Sequence, residues 1–172
     1  MPKPANHYER ETKMHLVCDY LVIGSGAASL AFVDTLLEEM PDKKVVLVDK
    51  KSRPGGHWVD AYDFVHLHQP SIVYGIASKS LEGSWVRLLL AKFTLPWNHR
   101  ASKPEILTYF NKFVDSKTAS GQLQYFPECA YDFDRELDTC DTNSSSCSAT
   151  FASLDGKLSY SVEIREKLID GV

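Results

Sequence analysis

The apolar positions in the first third of the chain follow three successive patterns. Tyr20 to Ile23 is a short continuous apolar run, which is typical of one buried parallel strand. From Gly26 the apolar residues recur at helical spacing until Pro41, and they make up one face: Leu30, Val33, Leu37 and Met40. Lys44 to Val48 is a second apolar run. The segment therefore predicts strand, helix and strand, the repeating unit of a parallel α/β sheet.

A second helix is predicted to begin after Ser102. Ser102 and Glu105 form an S-x-x-E capping box, and Pro104 lies in the first turn. One apolar stripe follows, made of Ile106, Tyr109, Phe110, Phe113 and Val114. Because such a stripe is typical of a helix packed in the core, we assign it no chemistry.

The last third of the chain has strand patterns. Gln122 to Phe126 and Cys129 to Tyr131 predict one strand interrupted by a proline. Thr150 to Leu154 and Leu158 to Leu168 alternate between apolar and polar residues, with the turn dipeptide Asp155-Gly156 between them. We expect an antiparallel β-meander that is appended to the parallel sheet and covers it.

Two stretches between these elements have weaker patterns. Trp85 to Phe93 is apolar and predicts a short buried helix, with Trp97 in the loop after it. Residues 133–147 are polar and predict a surface loop. Neither stretch carries a motif to which we assign chemistry.

Composition narrows the class of protein. The 172 residues are 44% hydrophobic and 24% charged, as in ordinary globular proteins, and the net charge of -4 argues against a nucleic-acid partner. The chain has no run of 18 apolar residues, so no membrane segment is expected. Residues 1–16 are polar and lack an apolar signal core, which predicts a disordered lead into a cytoplasmic domain.

The four cysteines do not form a recognisable framework. Cys18, Cys129, Cys140 and Cys147 show no C-x-x-C spacing, so free thiols in a reducing compartment are the default expectation. Pairing of Cys140 with Cys147 under oxidising conditions is the alternative.

The turn between the first strand and the first helix has the chemistry of a pyrophosphate site. Its sequence is Gly24, Ser25, Gly26, Ala27, Ala28 and Ser29, a G-x-G-x-x-G pattern with serine at the third position. Backbone N–H groups at a helix N-terminus attract a diphosphate, and glycine lacks the Cβ that would keep it away. Serine is small enough for close packing of the helix on the strand. We weigh this against a plain α/β turn that binds no nucleotide.

Asp49 closes the second strand at the spacing where an acidic residue binds the ribose of an adenosine. This contact does not separate NAD from FAD, because both contain ADP. Lys50 and Lys51 offer positive charge to a ribose 2′-phosphate, with two solvated side chains as the alternative.

A second glycine turn and a histidine pair follow. Gly55-Gly56 lets the backbone run close to a ligand, and His57-Trp58 follows directly. Gly56, His57 and Trp58 are therefore predicted to contact the cofactor, with a plain turn as the alternative. His66 and His68 face the same side of an extended segment, which raises a metal pair as an alternative, but no third ligand has recognisable spacing. We therefore predict no metal and expect His68 and Gln69 to line the cofactor pocket, with histidines that are hydrogen-bonded within the loop as the alternative.

The order GSGAAS, VVLVDKK, PGGHW, AYDFVHLHQPS and YGIAS resembles the N-terminal FAD-binding part of flavin-containing monooxygenase-like, FAD/NAD(P)-dependent oxidoreductases. The resemblance implies a Rossmann-like three-layer α/β fold with a parallel sheet and an appended meander. It makes residues 17–172 a partial FAD-binding domain, truncated at its C-terminus, and places Cys129 and Ala130 beside the adenine.

The function that the resemblance implies is that of the FAD-binding part of a flavin-dependent oxidoreductase. NAD(P)H is the expected electron donor and a small molecule the substrate. The alternatives are a non-catalytic, truncated dinucleotide-binding or interaction module and, with less support, an NAD-dependent dehydrogenase domain. The sequence assigns no catalytic residue, no substrate and no oligomeric state.

Overall fold

The computed structural model describes residues 12–81, 99–133 and 147–172. In chain order the elements are β1 (Thr12–Ile23), α1 (Ala27–Glu39), β2 (Val45–Val48), α2 (His57–Asp60), a 3₁₀ turn (Ser71–Val73), β3 (Gly75–Ile76), β4 (Lys79–Ser80), α3 (Lys103–Ala119), β5 (Leu123–Phe126), β6 (Cys129–Tyr131), β7 (Cys147–Ser153) and β8 (Leu158–Asp170). The predicted α/β class and the Rossmann-like fold are confirmed.

Six strands form one sheet in the order β5-β2-β1-β8-β7-β6. The first four, β5, β2, β1 and β8, run parallel, while β7 is antiparallel to β8 and β6 is antiparallel to β7. Starting from β1, the chain first adds strands on one side and later on the other. The order therefore reverses at β1, which is where α/β sheets of this kind hold their ligands.

One face of the parallel strands is covered by α1 and α3. The buried residues on that face of the sheet are Val22, Val45, Leu47 and Leu123. The predicted stripe of α3 is buried against them, and both hydrogen bonds of the Ser102–Glu105 capping box are present. In α1 the predicted face is buried except for Met40, which lies at the C-cap and is 43% exposed. The helix ends at Glu39, before the apolar period reaches Met40.

The opposite face of the parallel strands is covered by the antiparallel meander. Leu21 and Val48 share a core there with Phe151 and Tyr160, whose rings stack at a centroid distance of 4.6 Å. The meander curls back far enough that the Cys129 amide donates a hydrogen bond to the Asp49 carbonyl, with 3.0 Å between the nitrogen and the oxygen. Helices, parallel strands and meander thus give the three predicted layers.

Strand β8 differs from the prediction of an appended cover. It does pair with β7, but it also runs parallel to β1 from Thr12↔Leu158 to Ile23↔Asp170. Cys18 and Tyr20 bracket a shift in this register. The meander is therefore continuous with the main sheet, because its last strand supplies the neighbour that β1 needs on its second edge.

Three further expectations are corrected. Strand β1 begins at Thr12, so the predicted disordered lead over residues 1–16 is wrong for residues 12–16. β5 and β6 are separate strands rather than one, because the chain turns at Glu128, which has a φ of 52°. Cys18 and Cys129 are buried free thiols, but Cys147 is disulfide-bonded, so the expectation of four free thiols is wrong there.

Several predictions fall outside the described residues. They are the helix at Trp85 to Phe93, the loop with Trp97, most of the polar loop at 133–147, and Cys140. Within the described ranges, no helix has the length and apolar character needed to cross a membrane.

The small hairpin β3–β4 is fixed to both helices by buried polar groups. Asp34 of α1 is fully buried, and its carboxylate accepts hydrogen bonds from the amide and hydroxyl of Ser78. Tyr109 of α3 accepts from the Ile76 amide at 2.7 Å and donates to the Lys79 carbonyl. Burial raises the pKa of Tyr109, so its hydroxyl stays protonated and available as a donor.

Candidate dinucleotide site

The glycine turn connects β1 to α1 at the carboxyl edge of the sheet. Gly24 has a φ of +88°, which favours glycine, and its amide donates to the Val48 carbonyl at 2.8 Å. Gly26 is the N-cap of α1, and its carbonyl accepts a hydrogen bond from the Leu30 amide. Within the described chain no side chain caps this helix, so the amides of its first turn are available to a ligand.

These amides face a cavity of about 480 Å³ at the carboxyl ends of β1, β2 and β8. The volume is within the range of small-molecule and cofactor sites. The lining consists of Ile23, Gly24, Ser25, Gly26, Ala27, Ala28, Val48, Asp49, Lys50, Lys51, Gly56, His57, Cys129, Tyr131, Phe133, Gly171 and Val172. Ten of the predicted site residues are brought together here, namely Gly24 to Ala28, Asp49, Lys50, Gly56, His57 and Cys129.

The carboxylate of Asp49 is hydrogen-bonded to the glycine turn. Its Oδ2 atom accepts the amide and the hydroxyl of Ser25, each at 2.5 Å, and its Oδ1 atom accepts the Lys51 amide at 2.7 Å. The side chain of Ser25 is completely buried and lies 3.4 Å from the hydroxyl of Tyr125 on β5. Burial raises the pKa of Tyr125 to about 12, so this phenol is neutral at physiological pH.

The second glycine turn packs directly on the first. The Gly55 amide donates to the Ser25 carbonyl at 2.9 Å. Gly56 has a φ of 56° and a ψ of -126°, and a Cβ placed on it would lie 2.9 Å from the Gly26 Cα. Only glycine fits this contact without displacing backbone, which explains why the two glycine turns occur together.

His57 and Trp58 point to different environments. His57 is exposed and lines the cavity, whereas Trp58 is 6% exposed in the core beneath it. The Trp58 Nε1 donates to the Tyr74 hydroxyl at 3.1 Å. Trp58 thus anchors α2, and it is not part of the cavity lining.

The end of β8 closes the cavity from the other side of β1. The Gly171 amide donates to the Ile23 carbonyl at 2.9 Å, and its carbonyl accepts the Ser29 hydroxyl at 3.4 Å. Ser29 is buried against this segment and does not line the cavity. A small residue at the third motif position thus allows close packing, as the sequence predicted, but against β8 as well as against β1.

The meander supplies the remaining wall. Cys129 and Tyr131 of β6 line the cavity with Phe133, and the rings of Tyr131 and Phe133 meet edge to face at 4.7 Å. Burial raises the pKa of the Cys129 thiol. Ala130, between them, is half-buried and is not in the lining.

The histidine segment lies apart from the lining of this cavity. His68 and Gln69 are exposed, and the Nδ1–H of His66 donates a hydrogen bond to the Phe64 carbonyl at 2.8 Å. Their contact with a cofactor stays a prediction. In residues 12–81, 99–133 and 147–172 no three His, Cys, Asp or Glu side chains are grouped to hold a metal.

Six lining residues were not predicted from the sequence as site residues: Ile23, Val48, Tyr131, Phe133, Gly171 and Val172. A signal existed for Gly171, because a glycine directly after a long strand is typical of a turn that approaches a ligand. The alternating pattern of β8 predicts a cover rather than a strand of the central sheet, so it does not place Gly171 at the cavity.

Comparison with known proteins agrees with this geometry. Residues 22–79 match the family model described as an NAD(P)-binding Rossmann-like domain. Uncharacterized proteins of Mycobacterium tuberculosis and Mycobacterium bovis are 41% identical over 114 residues, 66% of this chain and 21% of theirs. The chain thus spans about a fifth of the length of these curated relatives.

Solved structures of longer enzymes share the fold. A polycyclic ketone monooxygenase of the fungus Thermothelomyces thermophila superposes with a TM-score of 0.62 at 17% identity, covering 94% of this chain and 24% of that enzyme. A closed cyclohexanone monooxygenase gives 0.58 at 21% identity, covering 92% and 26%. A flavin monooxygenase of Stenotrophomonas maltophilia gives 0.54 at 17% identity, covering 90% and 38%. By fold, the chain is therefore similar to a part of the flavin monooxygenases, with an NAD(P)-binding Rossmann-like segment at residues 22–79, as the sequence resemblance predicted.

Proposed function

We propose that the cavity binds the ADP half of FAD and that the chain is the FAD-binding part of a flavin-dependent oxidoreductase. The observation that carries the proposal is the convergence of an uncapped helix N-terminus, two interlocked glycine turns and a carboxylate on one cavity. The likeness to monooxygenase folds supports FAD over a lone nicotinamide cofactor. NAD(P)H is then the proposed electron donor and a small molecule the substrate.

The glycine turn fits a pyrophosphate. Gly26, Ala27 and Ala28 border the cavity with backbone and small side chains, so phosphate oxygens can approach the amides of the first turn of α1. The positive end of the helix dipole favours the negative charge of the two phosphates. Lys50 is exposed at the rim and adds positive charge nearby.

The carboxylate and the meander fit an adenosine. Asp49 is 8% exposed and still borders the cavity, so it can accept a hydrogen bond from a ribose hydroxyl. Tyr131 and Phe133 offer apolar ring surface to an adenine, next to Cys129. When FAD is bound, its flavin supplies the redox chemistry by accepting hydride, while these residues bind and orient the nucleotide.

Lys51 is poorly placed to bind a ribose 2′-phosphate. Its Nζ pairs with Asp60 of α2, and its backbone amide is bonded to Asp49. A ribose 2′-phosphate would also meet the Asp49 carboxylate, and the two negative charges repel. The site therefore favours an unmodified ADP ribose, as in FAD.

Titration of the purified chain with FAD and with ADP tests the proposal, with calorimetry as the measurement. We expect both ligands to bind, and Gly26→Val to abolish binding because its branched side chain occupies the pyrophosphate position. Ser52→Ala, a change at an exposed serine near the site, is the matched control and should bind like the wild type. Equal FAD affinity of Gly26→Val and wild type would contradict the assignment.

A second measurement separates the oxidoreductase from a binding module. NADPH is added to the FAD-loaded chain without oxygen, and the flavin absorbance near its visible maximum is followed. Bleaching supports hydride transfer from NADPH to the FAD that this chain binds. FAD binding without bleaching by NADPH or NADH would keep the nucleotide site and reject the oxidoreductase activity for the chain alone.

A further inference from the structure

We infer that Ser25 is a positioning residue that restricts Asp49 to a single ribose hydroxyl. The inference deepens the proposed function and rests on it. It starts from the number of hydrogen bonds that the Asp49 carboxylate already accepts within the protein.

An ionised carboxylate offers about four lone-pair sites, two on each oxygen. Counting the donors in the part of the chain that the structure describes, Oδ2 accepts both the amide and the hydroxyl of Ser25. Oδ1 accepts the Lys51 amide. One site on Oδ1 therefore remains for a ligand, although a ribose presents two neighbouring hydroxyls.

The carboxylate has little freedom to turn away from these donors. The Asp49 amide donates to the Phe126 carbonyl at 3.0 Å, and the Asp49 carbonyl accepts the Cys129 amide at 3.0 Å. The main chain is thus held between β5 and β6, and the side chain is buried. Reorientation toward the ribose would leave the buried Ser25 amide without its acceptor, which is costly.

The hydroxyl of Ser25 is also fixed in direction. Its single proton is used in the bond to Asp49, so the hydroxyl of Tyr125, 3.4 Å away, donates to the Ser25 oxygen. A chain of donors therefore runs from Tyr125 through Ser25 to Asp49. Alanine at position 25 would remove the middle member and open one lone-pair site on Oδ2.

Calorimetric titration with ADP, 2′-deoxy-ADP and 3′-deoxy-ADP tests the inference on the wild-type chain. We expect one deoxy analogue to bind within about twofold of ADP and the other about tenfold more weakly, the usual effect of losing one hydrogen bond to a charged group. Similar weakening of both analogues, or of neither, would overturn the single-hydroxyl inference. Failure of ADP itself to bind would instead overturn the proposed function.

Ser25→Ala provides the second arm. With Oδ2 open, both deoxy analogues should bind more weakly to this variant than ADP does, whereas Ser52→Ala keeps the wild-type pattern. A merely structural role of Ser25 would lower the stability or the affinity for all three ligands and leave their ratio unchanged, which would overturn the positioning role. Because the wild-type titrations are decisive alone, poor folding of the variant does not remove the test.

Discussion

The close contact between Gly26 and Gly56 predicts that Gly56→Ala destabilises the fold. In Gly56→Ala the new Cβ would lie 2.9 Å from the Gly26 Cα, closer than such atoms approach in proteins. The backbone of Gly56 is also left-handed, with a φ of 56°, where an L residue is strained. The two glycine turns must therefore move apart.

The cost has two parts. Strain at a sparsely populated backbone conformation contributes on the order of 1 to 3 kcal/mol, and overpacking of a fixed contact contributes a similar amount. Because movement of the turns relieves part of both, we expect a loss of about 2 to 4 kcal/mol in the free energy of unfolding. The affinity for ADP should fall as well, because Gly26 lines the candidate site.

Gly26→Ala is the matched control. Its Cβ would lie 3.8 Å from the Gly56 Cα, an ordinary contact, and Gly26 has a φ of -75° that any residue adopts. We expect a loss below about 1 kcal/mol, the scale of a weaker N-cap.

Urea unfolding followed by circular dichroism measures both variants. The midpoint should fall clearly for Gly56→Ala and little for Gly26→Ala, with the slope unchanged for both. A Gly56→Ala chain within about 0.5 kcal/mol of wild type, a difference typical of an uninvolved surface site, would refute the close-contact reasoning. So would equal losses in the two variants.

Three other perturbations follow from buried polar groups. Asp49→Ala should weaken ADP binding by about 1 to 3 kcal/mol in calorimetry, because a ribose hydroxyl loses its acceptor, and a loss of turnover at unchanged affinity would contradict that role. Asp34→Ala should destabilise the fold by about 1 to 3 kcal/mol in urea, because the Ser78 amide is left unpaired; Asp115→Ala, at an exposed site on α3, is its control and should change little. The pKa of Tyr125 is raised from 10.0 to about 12, so the unfolded chain loses this proton first and wild-type stability should fall as pH rises from 10 to 12. Tyr125→Phe should show a smaller fall in the same alkaline titration, and an identical slope would contradict the burial of this phenol.

The parts of the fold that were predictable are those marked by residues close together in the sequence. The glycine turn, α1 and β2 follow one another within thirty residues, and the capping box of α3 marks its own start. Strand β8 was recognised as a strand, but its partners were not. An alternating pattern shows which side chains face a core, whereas the choice of a parallel neighbour far away in sequence depends on the whole sheet.

In the candidate site, too, residues with a local sequence signal were predictable, and residues placed by distant strand pairing were not. Residues near the glycine turns were found because their chemistry lies within one continuous motif. Gly171 and Val172 reach the cavity only through the pairing of β8 with β1, so no continuous motif connects them in sequence to the glycine turns. Trp58 was expected beside the ligand because it follows the second glycine turn, but the short helix α2 rotates its ring into the core and leaves His57 facing the cavity.

The pairing of β1 with β8 also bears on how the protein folds. β1 is the first described strand and β8 the last, so the central pair of the sheet closes a loop that contains nearly every other element. Contacts so distant in sequence form slowly, because the chain loses much of its freedom before they stabilise it. During synthesis on a ribosome, α1 and β2 emerge long before their sheet has its second edge covered. The candidate cavity, which Gly171 lines, is therefore among the last features to form, and any ligand that binds there would stabilise only the completed sheet.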